Sequence, residues 1–435
     1  MKNFIEELRW RGMIHDITHE VELVEQLKEP TTAYIGFDPT ADSLHVGSLV
    51  QIMLLQHLQR AGHKPIALIG GATGMIGDPS GKMEERKLLS LEDIRHNESC
   101  IKKQLEKFLD FNCGENSAEI VNNYDWFKDI STFTFLRDVG KFLTVSYLLS
   151  KGFIKDRLSE GGDISFTEFN YILMQAYDFY WLLENKNCKM QMGGSDQWGN
   201  ITAGIELIRK KNRKQAFGLT CPLLVKADGG KFGKTESGNV WLDPAKTSPT
   251  MFRQFWLNVS DEDAEKYIKI FTLLPKEEIE KMIAKHHAEP HLRLLQKTLA
   301  HYVTNSVHNL SFDDTINLHV SSNVLFEDGT LDALTGLDEE GLLAVFEGYP
   351  QFDISEYRNE LIKGINILDI LYLKTNIAPS KTEARKLIEG GGIYINMQRV
   401  ESVKRIVCED DLIKGEYLVL QKGKKNFYLL KVLAG

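Results

Sequence analysis

At 435 residues and a formal charge of −9, the chain is too long for one compact core, and two or three domains are expected. Hydrophobic content of 43% and charged content of 26% are those of an ordinary globular protein, and no apolar run approaches the length of a membrane span. The cysteines (Cys100, Cys113, Cys188, Cys221, Cys408) are odd in number and lack any C-x-x-C pair, so neither a disulfide framework nor a zinc site follows, and a reducing, cytoplasmic setting is the simplest reading.

The N-terminal MKNFIEELRWRGMIHD reads as an amphipathic helix, with Phe4, Ile5, Leu8 and Met13 at helical spacing, and has no apolar core of a signal peptide. Short buried strands are expected at 32–37 (TAYIGF), 65–70 (PIALIG), 119–122 (EIVN) and 189–192 (KMQM). Helical patterns lie between and after them, at about 46–61, 92–110, 131–150, 165–185 and 196–211. Strands alternating with helices predict an α/β fold, a doubly wound parallel sheet of Rossmann-like type, with ligands at the carboxyl ends of the strands. From about 250 to 320 the pattern turns all-helical, and the tail is helix, helix, then β-rich to the end.

Charge divides the chain further. Residues 321–355 hold eight acids and no Lys or Arg, whereas residues 356–435 hold 14 Lys+Arg against 10 Asp+Glu. The expected division is a Rossmann-like domain at 1–220, a helical domain at 221–320, an acidic linker at 321–355 and a small basic α+β domain at 356–435.

Three stretches carry chemistry. FDPTADSLHVGS (37–48) ends a strand and opens a helix, and the unpaired N–H groups of a helix tip make a natural anion site. GGATGMIGDPSGK (70–82) follows a strand but fails the P-loop pattern, which would need Gly at 76 and Ser or Thr at 83. Alone, it reads as a solvated turn with Asp78, Lys82 and Arg86. Lys231-Phe232-Gly233-Lys234-Thr235 sets two lysines about a glycine, suited to gripping polyphosphate from the side opposite the helix tip.

Together these stretches resemble the class I aminoacyl-tRNA synthetases, in their bacterial tyrosyl-specific branch. The HIGH motif corresponds to His45-Val46-Gly47-Ser48 and the KMSKS loop to Lys231–Thr235. YIGFDPTADSLHVG, GGATGMIGDPSGK, FTEFNYILMQAYDF and QMGGSDQWGNI look like the same family, so the likeness spans essentially the whole chain. The resemblance implies that Tyr34 and Asp178 hold a tyrosine phenol and that Asp78, Tyr171 and Gln175 hold its ammonium group, with Gln197 beside the reacting carboxylate. It assigns Gly36, Asp38, Gly47, Ser48, Gly193 and Asp196 to ATP, with Asp196 on the ribose. Thr40 and His45 fall at the γ-phosphate, and Lys82, Arg86, Lys231, Lys234 and Thr235 around the departing pyrophosphate. Magnesium is expected with the ATP phosphates rather than in a protein cage. One departure stands out, since the second histidine of the motif is Ser48 here.

The residues themselves support part of this. Tyr171, Gln175 and Asp178 at i, i+4 and i+7 share one face of an apolar helix, where a carboxylate needs a partner. Ser195 or Asp196 is a candidate helix cap. In the tail, Ser380 followed by Glu383 predicts a helix start, with Lys381, Arg385 and Lys386 on one side. Alone this reads as a solvated basic helix, but the tail resembles a small RNA-binding module shared with a ribosomal small-subunit protein, which implies that the three contact RNA. The run 209–214 is either a tRNA acceptor contact or a solvated helix end. The expected partners are L-tyrosine, ATP, tRNA(Tyr) and a second copy of the chain, docked through the apolar helix 131–149. A tryptophan-specific enzyme, a small-molecule nucleotidyltransferase and an inert RNA-binding relative remain the alternatives.

Overall fold

A computed structural model describes residues 3–80, 89–227, 229–230, 232–235, 238–310, 331–337, 339–346, 349–423 and 426–433. They fall into two compact units, one of Met1–Lys246 with Trp256–Val307 and one of Thr247–Phe255 with His308–Gly435.

The first unit is built on a sheet of β1 (Asp16–Ile17), β2 (Thr32–Phe37), β3 (Lys64–Ile69), β4 (Glu119–Asn122), β5 (Cys188–Gly194) and β6 (Phe217–Cys221), in the order β1-β6-β5-β2-β3-β4. All pairs are parallel except β1–β6. The inner strands are apolar on both faces because helices cover both, as parallel sheets require. Helix α1 (Val46–Arg60) links β2 to β3, and α2 (Leu91–Leu105) links β3 to β4. The chain then returns to the other side of β2, through α3 (Phe166–Lys186), to form β5, and α4 (Trp198–Asn212) leads on to β6. The order therefore reverses between β2 and β5, the crevice where doubly wound sheets bind ligands.

The start of α3 is fixed twice. Ser165 and Glu168 form a capping box, and the buried Glu168 carboxylate takes the Arg157 guanidinium at 2.8 Å. That anchoring sets the angular phase of every side chain α3 presents to the crevice.

Several expectations change here. The short edge strand β1 and strand β6 (FGLTC) lack a strand signal strong enough to read in advance. The helix expected over 131–150 is three short pieces, Thr132–Asp138, Gly140–Phe142 and Val145–Leu149, because Val139 and Leu143 leave the helical region and turn inward. Helices Asp261–Ile270, Lys276–Ala288 and Leu294–His308 follow the all-helical pattern, yet through Val307 they belong to the first unit, not to a separate domain. Residues 311–330 lie outside the described residues. Among the described residues, no helix is long and apolar enough to cross a membrane.

In the second unit a five-stranded sheet runs in the order Gln398–Arg399, Ile393–Ile395, Tyr417–Lys422, Asn426–Lys431, Gln351–Asp353, the last pair parallel. The segment read as an acidic linker takes part in it. Leu342, Val345, Phe346 and Tyr349, at i, i+3, i+4 and i+7, pack with Leu334 onto Tyr417, Val419, Phe427 and Leu429. Its described acids Asp332, Glu339 and Asp353 are exposed while its apolar residues pack inward, so charge alone misrepresents it. On the other side lies the helix Lys381–Glu389, capped by the Ser380 hydroxyl accepting from Glu383 N–H at 3.1 Å. Its Lys381, Arg385 and Lys386 are exposed, and Lys381 pairs with Asp369 at 2.7 Å.

Candidate active site

His45 is the N-cap of α1. Its backbone is extended, at φ −124° and ψ 171°, and its Nδ1 accepts the Gly47 N–H at 3.0 Å. In the neutral ring the proton therefore sits on Nε2, a donor at the helix tip. Glycine at 47 lets the ring hold this position, since a Cβ there would lie 2.7 Å from His45 Cε1 and 2.9 Å from Nδ1.

The lysine-flanked loop reaches the same tip through its backbone. Val46 N–H donates to Val240 O at 3.0 Å, Leu242 N–H to Leu44 O at 2.9 Å, and Val240 N–H to Gly233 O at 3.0 Å. Gly233 has φ +78°, and a Cβ on it would stand 2.8 Å from Val46 Cγ2 and 3.6 Å from Gly47 N. Phe232 anchors the loop from beneath, its ring 4.9 Å from that of Tyr267, 5.4 Å from Phe271 and 6.0 Å from Trp256. Lys234 and Thr235 form a short strand paired with Gly238–Asn239. Lys231, Lys82 and Arg86 lie outside the described residues. The two motifs, far apart in the chain, are thus joined through the backbone of Val240 and Leu242.

A cavity of about 200 Å³ opens beside them, at the carboxyl ends of β2 and β5. Tyr34, Gly36, Asp38, Thr40, Ser48, Asp78, Tyr171, Gln175, Asp178, Gly193, Asp196 and Gln197 all line it. The stretch 70–80 is buried against the cavity and turns through the short helix Thr73–Met75; it is not the solvated turn expected from it alone. Gly70 must be glycine, because a Cβ would fall 2.0 Å from Asp38 Oδ1.

The polar lining forms two connected sets. In the first, Asp178 receives Trp126 Nε1–H at Oδ1 (2.9 Å) and Asn123 Nδ2–H at Oδ2 (3.1 Å). Asn123 also donates to Thr73 Oγ1 at 3.0 Å, Thr73 donates to Asp38 Oδ1 at 2.8 Å, and the Tyr171 hydroxyl donates to Asp38 Oδ2 at 2.7 Å. In the second, Gln197 Nε2 donates to Asp78 Oδ2 at 2.7 Å, and Asn200 Nδ2 donates to Gln175 Oε1 at 2.9 Å. Neither Ser195 nor Asp196 caps α4, whose N-cap is Gln197 without a side-chain bond.

Burial dominates the electrostatics. Desolvation pushes the Asp178 carboxyl up to about 8, against the pull of its Asn123 and Trp126 hydrogen bonds. Asp196 is raised by burial and then by neighbouring Asp78. The Tyr34 phenol is raised by burial and by Asp178. Tyr34 is 1% exposed, and its hydroxyl has no hydrogen-bond partner among the described residues. The buried Gln191 Oε1 and Asn200 Oδ1 lack partners likewise. Such an unpaired hydroxyl costs about 1–3 kcal/mol, which a ligand hydroxyl would recover.

Comparison with known proteins decides among the readings. Residues 25–323 match the family tRNA synthetases class I (W and Y), and residues 342–430 match the tyrosine–tRNA ligase SYY-like C-terminal domain. The tyrosine–tRNA ligase of Bacteroides thetaiotaomicron is 57% identical over 432 residues, covering 98% of this chain and 99% of its own. That of Porphyromonas gingivalis is 55% identical over 435 residues, covering 99% and 100%. The chain belongs to the tyrosine–tRNA ligases of class I. A C-terminally truncated mitochondrial tyrosyl-tRNA synthetase from Aspergillus nidulans superposes with a TM-score of 0.67 at 30% identity, covering 75% of this chain and 95% of its own.

Against that family, the synthetase pocket holds residues that motif reading passed over. Thr73, Asn123, Trp126, Gln191 and Asn200 all bear on it. Asn123 directly follows β4 at the carboxyl edge of the sheet, a position that was itself a signal. The run 209–214 is largely occupied within the synthetase: Arg209 and Lys210 pair with Glu206, Lys211 Nζ donates to Asp138 O, and Lys214 pairs with Glu184.

Proposed function

We propose that the cavity binds L-tyrosine and that the adjoining crevice, toward His45 and the 231–235 loop, binds ATP. The activity is tyrosine–tRNA ligation in two steps. The tyrosine carboxylate attacks the α-phosphate, a new P–O bond forms, and pyrophosphate leaves to give tyrosyl-adenylate. A hydroxyl of the 3′-terminal ribose of tRNA(Tyr) then attacks the carbonyl, and AMP leaves. Neither step needs a protein nucleophile, so positioning and charge stabilisation carry the rate.

The observation that carries the tyrosine reading is the buried Tyr34 hydroxyl, unpartnered among the described residues, in a cavity it shares with Asp178. A phenol there accepts from one and donates to the other. The ammonium group sits by Asp78, Tyr171 and Gln175, and the carboxylate by Gln197. Asp196, Gly36, Asp38, Gly47, Ser48 and Gly193 face the nucleoside. Thr40 and the Nε2–H of His45 meet the phosphates, and Lys82, Arg86, Lys231, Lys234 and Thr235 stabilise the pyrophosphate. Magnesium arrives with ATP, held by phosphate oxygens and water. Exposed Lys381, Arg385 and Lys386 contact the RNA, and the cytoplasm is the place of work. ATP–pyrophosphate exchange measured with each of the twenty amino acids should respond to tyrosine alone. Exchange driven by tryptophan instead would overturn the pocket reading.

The pieces between Thr132 and Leu149 leave Phe133 86%, Val145 61%, Leu136 48% and Leu149 41% exposed. Such a patch is too apolar for open solvent and fits a two-fold contact between copies. Sedimentation should give a dimer at micromolar concentration, converted to monomer by Phe133→Asp. A wild-type monomer refutes the assignment.

A further inference from the structure

Asp178 and Trp181 stand three residues apart on α3 and share a face, as do Asn123 and Trp126 just after β4. The two faces meet. The Trp126 and Trp181 rings are stacked, with centroids 4.2 Å apart and planes 13° from parallel. Trp126 is 7% exposed, and its Nε1–H donates to Asp178 Oδ1 at 2.9 Å. The indole is therefore held at its edge by the carboxylate and on its face by a second indole from the same helix.

We propose that Trp181 is a positioning residue for tyrosine recognition, its ring fixing the angle at which Trp126 donates to Asp178 and so keeping that carboxylate aimed into the pocket. This rests on the assignment of Asp178 to the substrate phenol. Asp178 takes one protein donor on each oxygen, from Trp126 and from Asn123, and the lone pairs left over define where a phenol can donate. A hydrogen bond weakens steeply as its angle closes. Without a stacking face, the Trp126 ring can turn about its side-chain torsions and its N–H leaves the carboxylate.

Two readouts separate this from general support of the core. The first is a tyrosine effect without an ATP effect. The second is a pH profile. The titratable groups facing Asp178 are Tyr34 from β2, Asp38 from the loop after it, and Tyr171 and Tyr177 on α3. Burial holds Asp178 high and the Trp126 bond pulls it down, so loosening that bond moves the acid limb of kcat/KM for tyrosine to higher pH.

The experiment is pyrophosphate exchange by the full chain carrying Trp181→Leu, Trp181→Phe, Trp126→Phe or Asp178→Asn. Trp181→Leu, which keeps an apolar side chain but no stacking face, should raise the tyrosine KM about three- to tenfold and shift the acid limb upward, with the ATP KM within about twofold. Trp181→Phe restores a stacking ring and should stay within about twofold of the unaltered chain. If Trp126→Phe raises the tyrosine KM and Trp181→Leu does not, the proposal fails while the pocket reading stands. Equal rises in both KM values with an unmoved pH profile also overturn it, as a packing effect. If neither Trp126→Phe nor Asp178→Asn changes the tyrosine KM, the Asp178 assignment falls, and the proposal with it.

Discussion

Asparagine in place of Asp178 should lower kcat/KM for tyrosine by roughly 10²-fold while making the folded chain more stable at alkaline pH. The first effect follows from donors and acceptors. Trp126 and Asn123 both donate to the carboxylate. An amide can accept from one of them only by turning its own NH₂ toward the other, and the substrate phenol loses a partner oxygen. Leaving a buried polar group without its partner costs about 1–3 kcal/mol, or roughly five- to 150-fold. The second effect follows from proton linkage. An unfolded aspartate titrates near ~3.9, whereas burial lifts folded Asp178 to about 8. Between those values the folded state keeps a proton the unfolded state has lost, so this group's contribution to stability falls as pH rises, by at most about 1.4 kcal/mol per pH unit. Asparagine has no such proton, and its advantage should widen from pH 5 to 8. Thermal midpoints of both forms across that range, beside tyrosine KM, check it. A midpoint difference independent of pH would contradict the burial argument. Tyrosyl-tRNA synthetases reject phenylalanine by about 10⁵-fold in this way, because it leaves polar groups of the site unpaired.

His45→Ala should leave the tyrosine KM nearly unchanged and lower kcat for pyrophosphate exchange by about 10²–10³-fold, the usual consequence of removing one preorganised donor from developing charge. The ring is preset for this, because Gly47 N–H occupies Nδ1 and leaves the proton on Nε2. The same geometry makes Gly47→Ala a test that keeps the imidazole. The new methyl would start 2.7 Å from Cε1, so the ring must swing and its bond to residue 47 must break. Gly47→Ala should therefore lose much of the kcat that His45→Ala loses. Full kcat in both variants would remove His45 from the chemistry. Saturating tyrosine with varied ATP separates the two parameters.

Strand and helix periodicity located β2 to β5 and the helices α1 to α4 within a few residues, because buried parallel strands and amphipathic helices carry strong signals. β1 did not, since two residues in an antiparallel edge have no period to read. The acidic stretch before residue 355 was mistaken for a linker because its charge outweighed its helical spacing of apolar positions. In the site, Tyr34, Asp38, Thr40, Asp78, Tyr171, Gln175, Asp178, Asp196 and Gln197, drawn from separate motifs, line one cavity. Asn123 and Trp126 escaped notice because their role depends on the register that sets β4 beside β3 and the turn after it against α3, and register is a tertiary fact. Gln191 escaped because a polar residue inside a short strand reads as ordinary alternation.

On the proposed placement of tyrosine, the first hydrogen-bonded set described in the pocket spans the substrate from end to end. Asn123 touches both Asp178, assigned to the phenol, and Thr73, which leads through Asp38 to Tyr171 at the ammonium end. The pocket is thus a caliper whose two jaws share one hinge. Changes made at the two jaws should be thermodynamically coupled rather than additive, and amino acids whose ring and ammonium are spaced differently from tyrosine should be rejected by the spacing as well as by the groups themselves.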